Sequence, residues 1–276
     1  MNIQSTIKLN NRTHMPAFGL GVYLIKNGSE CVHSCNTAIR NGYRLFDTAA
    51  LYENEEGVGQ SINESGLERE ELFVTTKLWN TDHGYDNTLR AFDKSMNRLG
   101  LDYVDLYLVH YPVEGKRMDT WKAMEVIVKD ERCKAIGVSN YMSSHLQELI
   151  DGCTVLPSVN QIEMHPYCYG GERLKTVELC KANQIAIQCY SPLVRATKFE
   201  DPNLMKVAHK YNKSGAQLLV RWALQHGFSV IPKSNNPERI KENCEVFDFA
   251  ISGSDMQALD ALYADEIVCW DPTKTP

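Results

Sequence analysis

The chain has 276 residues, 43% of them hydrophobic, and a formal net charge of -6. That is the composition of an ordinary globular protein with ample core, and its mild acidity gives no reason to expect a nucleic acid or an anionic membrane as partner. The N-terminal stretch from Met1 to Lys8 lacks the apolar run of a secretory signal, and no apolar run approaches a membrane span of roughly 20 residues. The cysteines number nine and are scattered, with no CxxC pair. Reduced thiols and a cytoplasmic location are therefore expected, with no metal site: Cys31, His33 and Cys35 have no second ligand pair at metal spacing.

The chain opens with two short segments, Ile3–Leu9 and Thr13–Met15, on either side of Asn10-Asn11-Arg12. Asn-Asn between strands is a turn signal, so a β-hairpin is expected ahead of the main fold. A repeating pattern follows, in which a short apolar strand leads to an amphipathic helix. Ala17–Leu20 leads to a helix near Ser29–Asn41, Leu45–Phe46 to one near Asn54–Ser65, and Leu72–Thr76 to Tyr85–Leu99. In that third helix Tyr85, Leu89, Phe92, Met96 and Leu99 recur at helical spacing. Val104–Val109 leads to Thr120–Lys129, Ala135–Val138 to Ser143–Ile150, and Ser158–Ile162 to Glu172–Ala182. Ile185–Cys189 leads to Pro202–Tyr211 and Gly215–Gln225, and Val230–Ile231 leads to Pro237–Asn243.

Short crossovers of this kind imply parallel strands with right-handed connections. Eight strand–helix units without a linker predict an α/β fold: a single (β/α)8 TIM barrel across residues 1–276, preceded by the hairpin. A doubly wound sheet is the alternative. Against it, the first loop, Gly19-Leu20-Gly21-Val22-Tyr23-Leu24, lacks the third glycine of the dinucleotide fingerprint.

Barrel chemistry sits at the C-terminal ends of the strands. Those positions read Asp47, Lys77, His110, Ser139 with Asn140, Gln161 with Glu163, Tyr190 with Ser191, and Lys233 with Ser234. Any one of them suits a satisfied turn. As a ring they point to a site, because unpaired buried polar groups are costly. An ion pair of Lys77 with Asp47, beside Tyr52, would favour the phenolate and lower the phenol's pKa. His110 would aim a ring N–H at a substrate oxygen. Together they suit proton delivery to a carbonyl oxygen. Ser139, Asn140 and Gln161 could hold a carboxamide, and Tyr190 could stack on a flat ring. In Ile231-Pro232-Lys233-Ser234-Asn235-Asn236-Pro237-Glu238-Arg239, Asn236 reads as an N-cap and Pro237 as the first helical residue. Lys233, Ser234, Arg239 and that helix N-terminus would all favour a phosphate.

These motifs resemble, in order, those of the aldo-keto reductases: Gly42-Tyr43-Arg44-Leu45-Phe46-Asp47-Thr48-Ala49, Leu51-Tyr52-Glu53-Asn54-Glu55, Thr75-Thr76-Lys77-Leu78-Trp79, Leu101-Asp102-Tyr103-Val104-Asp105-Leu106-Tyr107-Leu108, Ile136-Gly137-Val138-Ser139-Asn140, Val159-Asn160-Gln161-Ile162-Glu163 and Ile231-Pro232-Lys233-Ser234. The chain looks most like the short microbial and protozoan members, which include diketogluconate reductases and protozoan prostaglandin F synthases.

The resemblance implies a barrel that binds NADPH and reduces small aldehydes, ketones or keto-sugars, acting as a monomer. By matching position it implies a catalytic tetrad of Asp47, Tyr52, Lys77 and His110. It puts Ser139, Asn140, Gln161 and Tyr190 at the nicotinamide, and Ser191 and Leu193 along the pyrophosphate. Lys233, Ser234 and Arg239 fall at the 2′-phosphate, Glu242 and Asn243 near the adenine, and Tyr23, Trp79, His110 and Tyr111 at the substrate. Tyr111 stands where many relatives have Trp. The short tail after Tyr263 suggests an open, tolerant pocket, and Arg195 meets either an acidic substrate group or solvent. Two other classes stay open on the same barrel: an NADPH-binding regulatory or structural protein, and a Schiff-base aldolase with Lys77 as nucleophile.

Overall fold

A computed structural model describes residues 1–276. The expected hairpin is present but shorter: β1 (Thr6–Lys8) pairs antiparallel with β2 (His14–Pro16), with Ile7 opposite Met15. Its turn puts Arg12 at φ 73°, and the Asn11 side chain accepts the Thr13 N–H at 3.0 Å, an Asx turn. Met15 is fully buried and packs with Leu45, Phe73, Leu106, Leu108 and Val159 in a cluster lining one end of the barrel. The hairpin thus plugs the N-terminal end and leaves the other end for chemistry.

The barrel units follow in chain order: β3 (Leu20–Gly21), α1 (Ser29–Arg40), β4 (Leu45–Asp47), α2 (Glu55–Asn63), β5 (Phe73–Leu78), α3 (Tyr85–Leu99), β6 (Val104–Val109), α4 (Arg117–Lys129), β7 (Cys133–Ser139) and α5 (Ser143–Gly152). Then come β8 (Val159–Glu163), α6 (Gly171–Ala182), β9 (Ala186–Tyr190), α7 (Pro202–Lys210), α8 (Gly215–Gln225), β10 (Ser229–Val230), α9 (Pro237–Cys244) and α10 (Gly253–Asp260). Each strand from β3 to β10 pairs in parallel with the next, for example Thr75 with Leu106 and Gln161 with Gln188. A parallel bridge between Phe18 and Val230 closes the ring, with the Gly19 N–H donating to the Val230 carbonyl at 2.9 Å. This is a (β/α)8 barrel. At the seam a Cβ on Gly19 would lie 2.3 Å from Leu45 Cδ2, so only glycine allows that approach.

The differences from the sequence pattern have local causes. The predicted first strand, Ala17–Leu20, is reduced to the bridge at Phe18 and the pair Leu20–Gly21. The predicted third strand stops before Lys77; β5 runs through Leu78, because the lysine points inward and is bonded there. Helix α4 begins at Arg117, ahead of the predicted Thr120, and the buried Arg117 side chain donates to Glu148 at 2.7 Å and to the Pro112 carbonyl at 3.2 Å. Helix α10 lies beyond the last element of the sequence pattern. Its signal is the cap: the Ser252 hydroxyl accepts the Asp255 N–H at 3.2 Å, a serine three residues before an acid. No helix is long and apolar enough to cross a membrane.

Candidate active site

The strand ends β4, β5 and β6 meet at one point of the barrel mouth. Asp47 closes β4, Lys77 lies near the end of β5, and His110 follows β6. Tyr52 ends a single 3₁₀ turn, Ala50–Tyr52, that folds back over them. Asn54 holds that turn in place. It is buried, accepts the Thr48 hydroxyl at 2.7 Å and donates to the Val22 and Ile25 carbonyls at 2.9 Å each.

Lys77 is fully buried, and its ammonium has three N–H groups. They reach Asp47 Oδ1 at 2.5 Å, the Thr48 carbonyl at 2.9 Å and the Tyr52 hydroxyl at 3.2 Å. With the ammonium donating to it, the phenol oxygen is an acceptor there, and its own hydrogen is left for the cavity. Burial pushes the Asp47 carboxyl up and the Lys77 ammonium down, and the contact between them opposes both shifts. The sequence reading expects Lys77 to lower the Tyr52 pKa. The structure reverses that direction: burial and the Asp47 charge hold the phenol well above the usual range. The Tyr52 phenol therefore stays protonated throughout the neutral range. Burial, aided by the Lys77 charge, holds His110 well below the usual histidine range, so its ring is neutral. The rings of Tyr52 and His110 meet edge to face at 5.6 Å.

These groups open into a cavity of about 380 Å³. Tyr23, Asp47, Tyr52, His110, Ser139, Asn140, Gln161, Tyr190, Ser191, Leu193 and Lys233 all line it. The polar wall is a continuous network. Gln161 Nε2 donates to Asp47 Oδ2 and to Gln188 Oε1, each at 2.6 Å. The Ser139 hydroxyl donates to the Gln161 carbonyl at 2.8 Å. Asn140, at φ 63°, donates to the His110 carbonyl at 2.9 Å and accepts the Tyr190 hydroxyl at 2.7 Å. Asparagine is among the few residues that tolerate that backbone conformation.

Not every expected residue reaches the cavity. Trp79 stacks edge-on against His110 at 5.2 Å without lining it, and Tyr111 bonds to Thr275 Oγ1 at 2.7 Å. Ser234 shapes the turn before α9, accepting the Asn236 N–H at 3.1 Å, and Asn236 caps that helix as expected. Arg239 is exposed in the first turn of α9. Glu242 is turned towards α8, accepting the Ser214 hydroxyl at 2.6 Å, and Asn243 is buried beside it. Cys189 is fully buried, and burial pushes its thiol well up, so it is not a reactive group.

Cys269 and Trp270 also line the cavity, from a segment to which the sequence pattern assigns no site residue. They come from the last segment of the chain, after the final strand–helix unit. The Trp270 ring lies 5.7 Å from His110, 5.7 Å from Trp79 and 6.4 Å from Tyr111. The signal in the sequence is a short apolar run, Ile267-Val268-Cys269-Trp270, between acidic residues in the tail. Arg195 also lines the cavity, in a turn where Val194, Arg195 and Ala196 all have positive φ.

The groove fits a phosphorylated dinucleotide on this structure's own terms. Lys233 and Arg239 have no ion-pair partner and flank a capped helix N-terminus, where N–H groups and the helix dipole favour an anion. Tyr190 is half-buried, its hydroxyl fixed by Asn140 and its ring at the cavity wall.

Residues 19–264 match the Aldo/keto reductase family. Over 274 residues the chain is 49% identical to the glyoxal reductase of Bacillus subtilis, covering 98% of this chain and 97% of that protein. It is 45% identical to the 9,11-endoperoxide prostaglandin H2 reductase of Trypanosoma cruzi, over 96% of this chain and 94% of that one. Among solved structures it is similar to a variant of Gox0644 in complex with NADPH, with a TM-score of 0.92, 39% identity and 99% of each chain covered. The motifs at the strand ends, the barrel that brings them together and these whole-length matches agree: the chain belongs to the aldo/keto reductase family.

Proposed function

We propose that this protein reduces small aldehydes and ketones, Tyr52 giving a proton to the carbonyl oxygen. The chain is an NADP-dependent oxidoreductase, and NADPH is its cofactor. In this reading Ser139, Asn140, Gln161 and Tyr190 hold the nicotinamide end, Ser191 and Leu193 line the path of the pyrophosphate, and Lys233, Ser234 and Arg239 take the 2′-phosphate. Glu242 and Asn243 are near the adenine, although the Ser214 contact leaves Glu242 only its second oxygen. Bound there, NADPH supplies a hydride to the carbonyl carbon.

The protein's own work is on the oxygen. One observation carries the reading: all three N–H groups of Lys77 are engaged, the third on the Tyr52 oxygen. The phenol hydrogen is thereby free to reach a carbonyl oxygen in the cavity. As that oxygen gains negative charge, the proton moves to it, and the ammonium at 3.2 Å stabilises the phenolate left behind. Neutral His110, on the cavity wall, orients the same oxygen through a ring N–H. Tyr23 and Trp270 flank the substrate, with Trp79 and Tyr111 behind the indole. Small dicarbonyl compounds of the glyoxal class are the favoured substrates, supported by the likeness to the glyoxal reductase and by the modest cavity. Reduction of a prostaglandin endoperoxide, the activity in the trypanosomal relative's name, is the second candidate.

The test is NADPH consumption with methylglyoxal, a nitrobenzaldehyde, a diketo-sugar acid and prostaglandin H2, for the wild type and Tyr52→Phe. Turnover that vanishes in the variant while NADPH still binds supports the reading. Equal turnover in the two proteins overturns the role of Tyr52. Tight NADPH binding without turnover on any carbonyl favours a regulatory protein on the same barrel.

A further inference from the structure

Glu163 ends the strand-end motif Val159-Asn160-Gln161-Ile162-Glu163, yet the proposed reaction gives it no part, and it does not line the cavity. It is 1% exposed. A carboxylate so deeply buried needs donors, and three N–H groups surround it. Oε1 accepts the Val268 backbone N–H at 2.7 Å and lies 3.0 Å from His165 Nε2, while Oε2 accepts the Cys269 backbone N–H at 3.1 Å. Two of these donors belong to the last segment of the chain. The residues beside them touch the site: Cys269 Sγ lies 3.0 Å from Ser191 Oγ, and the Trp270 indole stands over His110.

Beyond Trp270 the segment is fastened again. Thr275 Oγ1 lies 2.7 Å from the Tyr111 hydroxyl, the Thr275 carbonyl lies 2.7 Å from His145 Nε2, and Arg117 donates to the Pro276 carbonyl at 2.8 Å. Residues 268–276 therefore cross the barrel mouth as a strap tied at both ends. Trp270 is held between the ties, with 41% of its surface exposed.

We propose that Glu163 is a positioning residue for substrate selection: its buried carboxylate fastens Val268 and Cys269, and so sets the Trp270 indole as a wall of the carbonyl site. A carboxylate suits this place because it presents one oxygen to each backbone N–H. A carboxamide turns an NH2 group towards one of them, and that bond is lost. The near tie is then weakened to one Glu163 bond and the Cys269–Ser191 contact, and the indole is held mainly from the far side. Bulky aromatic carbonyl compounds rest on the indole and feel its displacement; small dicarbonyl compounds fit beneath it and do not. The selectivity part rests on the reductase reading above, and the fastening part does not.

The experiment uses the full chain as wild type, Glu163→Gln, Trp270→Ala and the double variant. Amide hydrogen exchange reads the fastening directly. The Val268 and Cys269 amides are slow in the wild type, and in Glu163→Gln the one facing the NH2 group exchanges at least about tenfold faster, while the barrel-strand amides are unchanged. With NADPH saturating, KM for a nitrobenzaldehyde rises about five- to tenfold and kcat stays within about twofold, while kcat/KM for methylglyoxal barely moves. Trp270→Ala gives the same rise in KM for the nitrobenzaldehyde, and the double variant adds nothing to either single one on that substrate. Should Glu163→Gln fail to fold, Glu163→Asp keeps the charge and withdraws it from the tail amides. Unchanged exchange at Val268 and Cys269, equal losses on both substrates, or an additive double variant would each overturn the proposal. A wild type that reduces no carbonyl defeats the reductase reading alone, and the exchange result still decides whether Glu163 fastens the strap.

Discussion

Gln161 Nε2 lies 2.6 Å from Asp47 Oδ2, and this one bond joins the two halves of the site. On one side is the residue proposed to meet the nicotinamide end; on the other is the carboxylate that holds Lys77. The same amide nitrogen also donates to Gln188 at 2.6 Å, which fixes which way the side chain faces. Gln161→Ala leaves Asp47 Oδ2 buried without its donor. A stranded buried acceptor costs about 1–3 kcal/mol, so the melting temperature falls by several degrees. Because the Gln161 bond is one of the contacts that keep the Asp47 carboxyl down, its loss also moves that carboxyl further up. The expected kinetic outcome is a lower kcat together with weaker NADPH binding. An unaltered kcat at saturating NADPH would show that the bond only supports the cofactor.

Tyr52 and Lys77 are neighbours, and their variants should differ in how much stability is lost with the activity. Tyr52→Phe removes a hydroxyl at the cavity edge and keeps the ring packed between Tyr23 at 4.9 Å and His110 at 5.6 Å. One N–H of the buried Lys77 ammonium is left without its acceptor, at a cost of about 1–3 kcal/mol, so stability should fall modestly, while kcat drops about 10²–10⁴-fold, the range for losing a positioned proton donor. Lys77→Met strands the buried Asp47 charge, and breaking a buried pair in this way costs about 3–5 kcal/mol. That variant should lose both activity and several degrees of melting temperature. Paired denaturation curves and turnover assays separate the two cases.

Acid should weaken the fold through His83. This residue follows β5, is 5% exposed, and neither ring nitrogen has a partner, so burial lowers its pKa to about 4. In the unfolded chain an ordinary histidine titrates near 6.5. Between those values the unfolded chain binds the proton and the folded one does not, so stability rises with pH across that window. The contribution is fully present above about pH 6.5, and falls as pH drops towards 4 by up to about 1.4 kcal/mol per unit. His110 and His145 are shifted in the same direction and add to the slope. Urea melts at pH 7, 5.5 and 4.5 check this: His83→Leu should flatten the decline relative to wild type, and an identical decline would assign the acid sensitivity elsewhere.

Much of this was legible in the sequence because each piece is local. Strand–helix alternation predicts the barrel, and one polar residue at the end of each apolar strand marks the mouth. Asp47, Lys77 and His110 are found that way, since a strand end places a side chain without help from distant residues. The direction of the Tyr52 shift was not legible, because it depends on how much of the phenol is covered and by what. Trp270 was not legible either. Its place at the site depends on Glu163, 107 positions earlier, and no local pattern carries a contact of that kind. Glu242 shows the same limit from the other side: its sequence position suits the adenine end, but Ser214 on a neighbouring turn claims one of its oxygens.

Cofactor choice should rest on Lys233 and Arg239. Both are exposed, neither has a carboxylate partner to release, and they stand at the end of α9 whose first turn is capped by Asn236. A 2′-phosphate placed there gains charge-assisted bonds worth about 1.5–3 kcal/mol each, and NADH, lacking that phosphate, gains none. Lys233→Ala with Arg239→Ala should therefore raise the Kd for NADPH by well over about tenfold and change that for NADH by less than about threefold. Because exposed charges are screened by salt, the NADPH affinity of the wild type should also fall from low to high ionic strength, and the double variant should lose most of that dependence. Fluorescence titrations with both cofactors at two salt concentrations measure all of this at once. Parallel losses for NADPH and NADH would mean that the two cations shape the groove rather than read the phosphate.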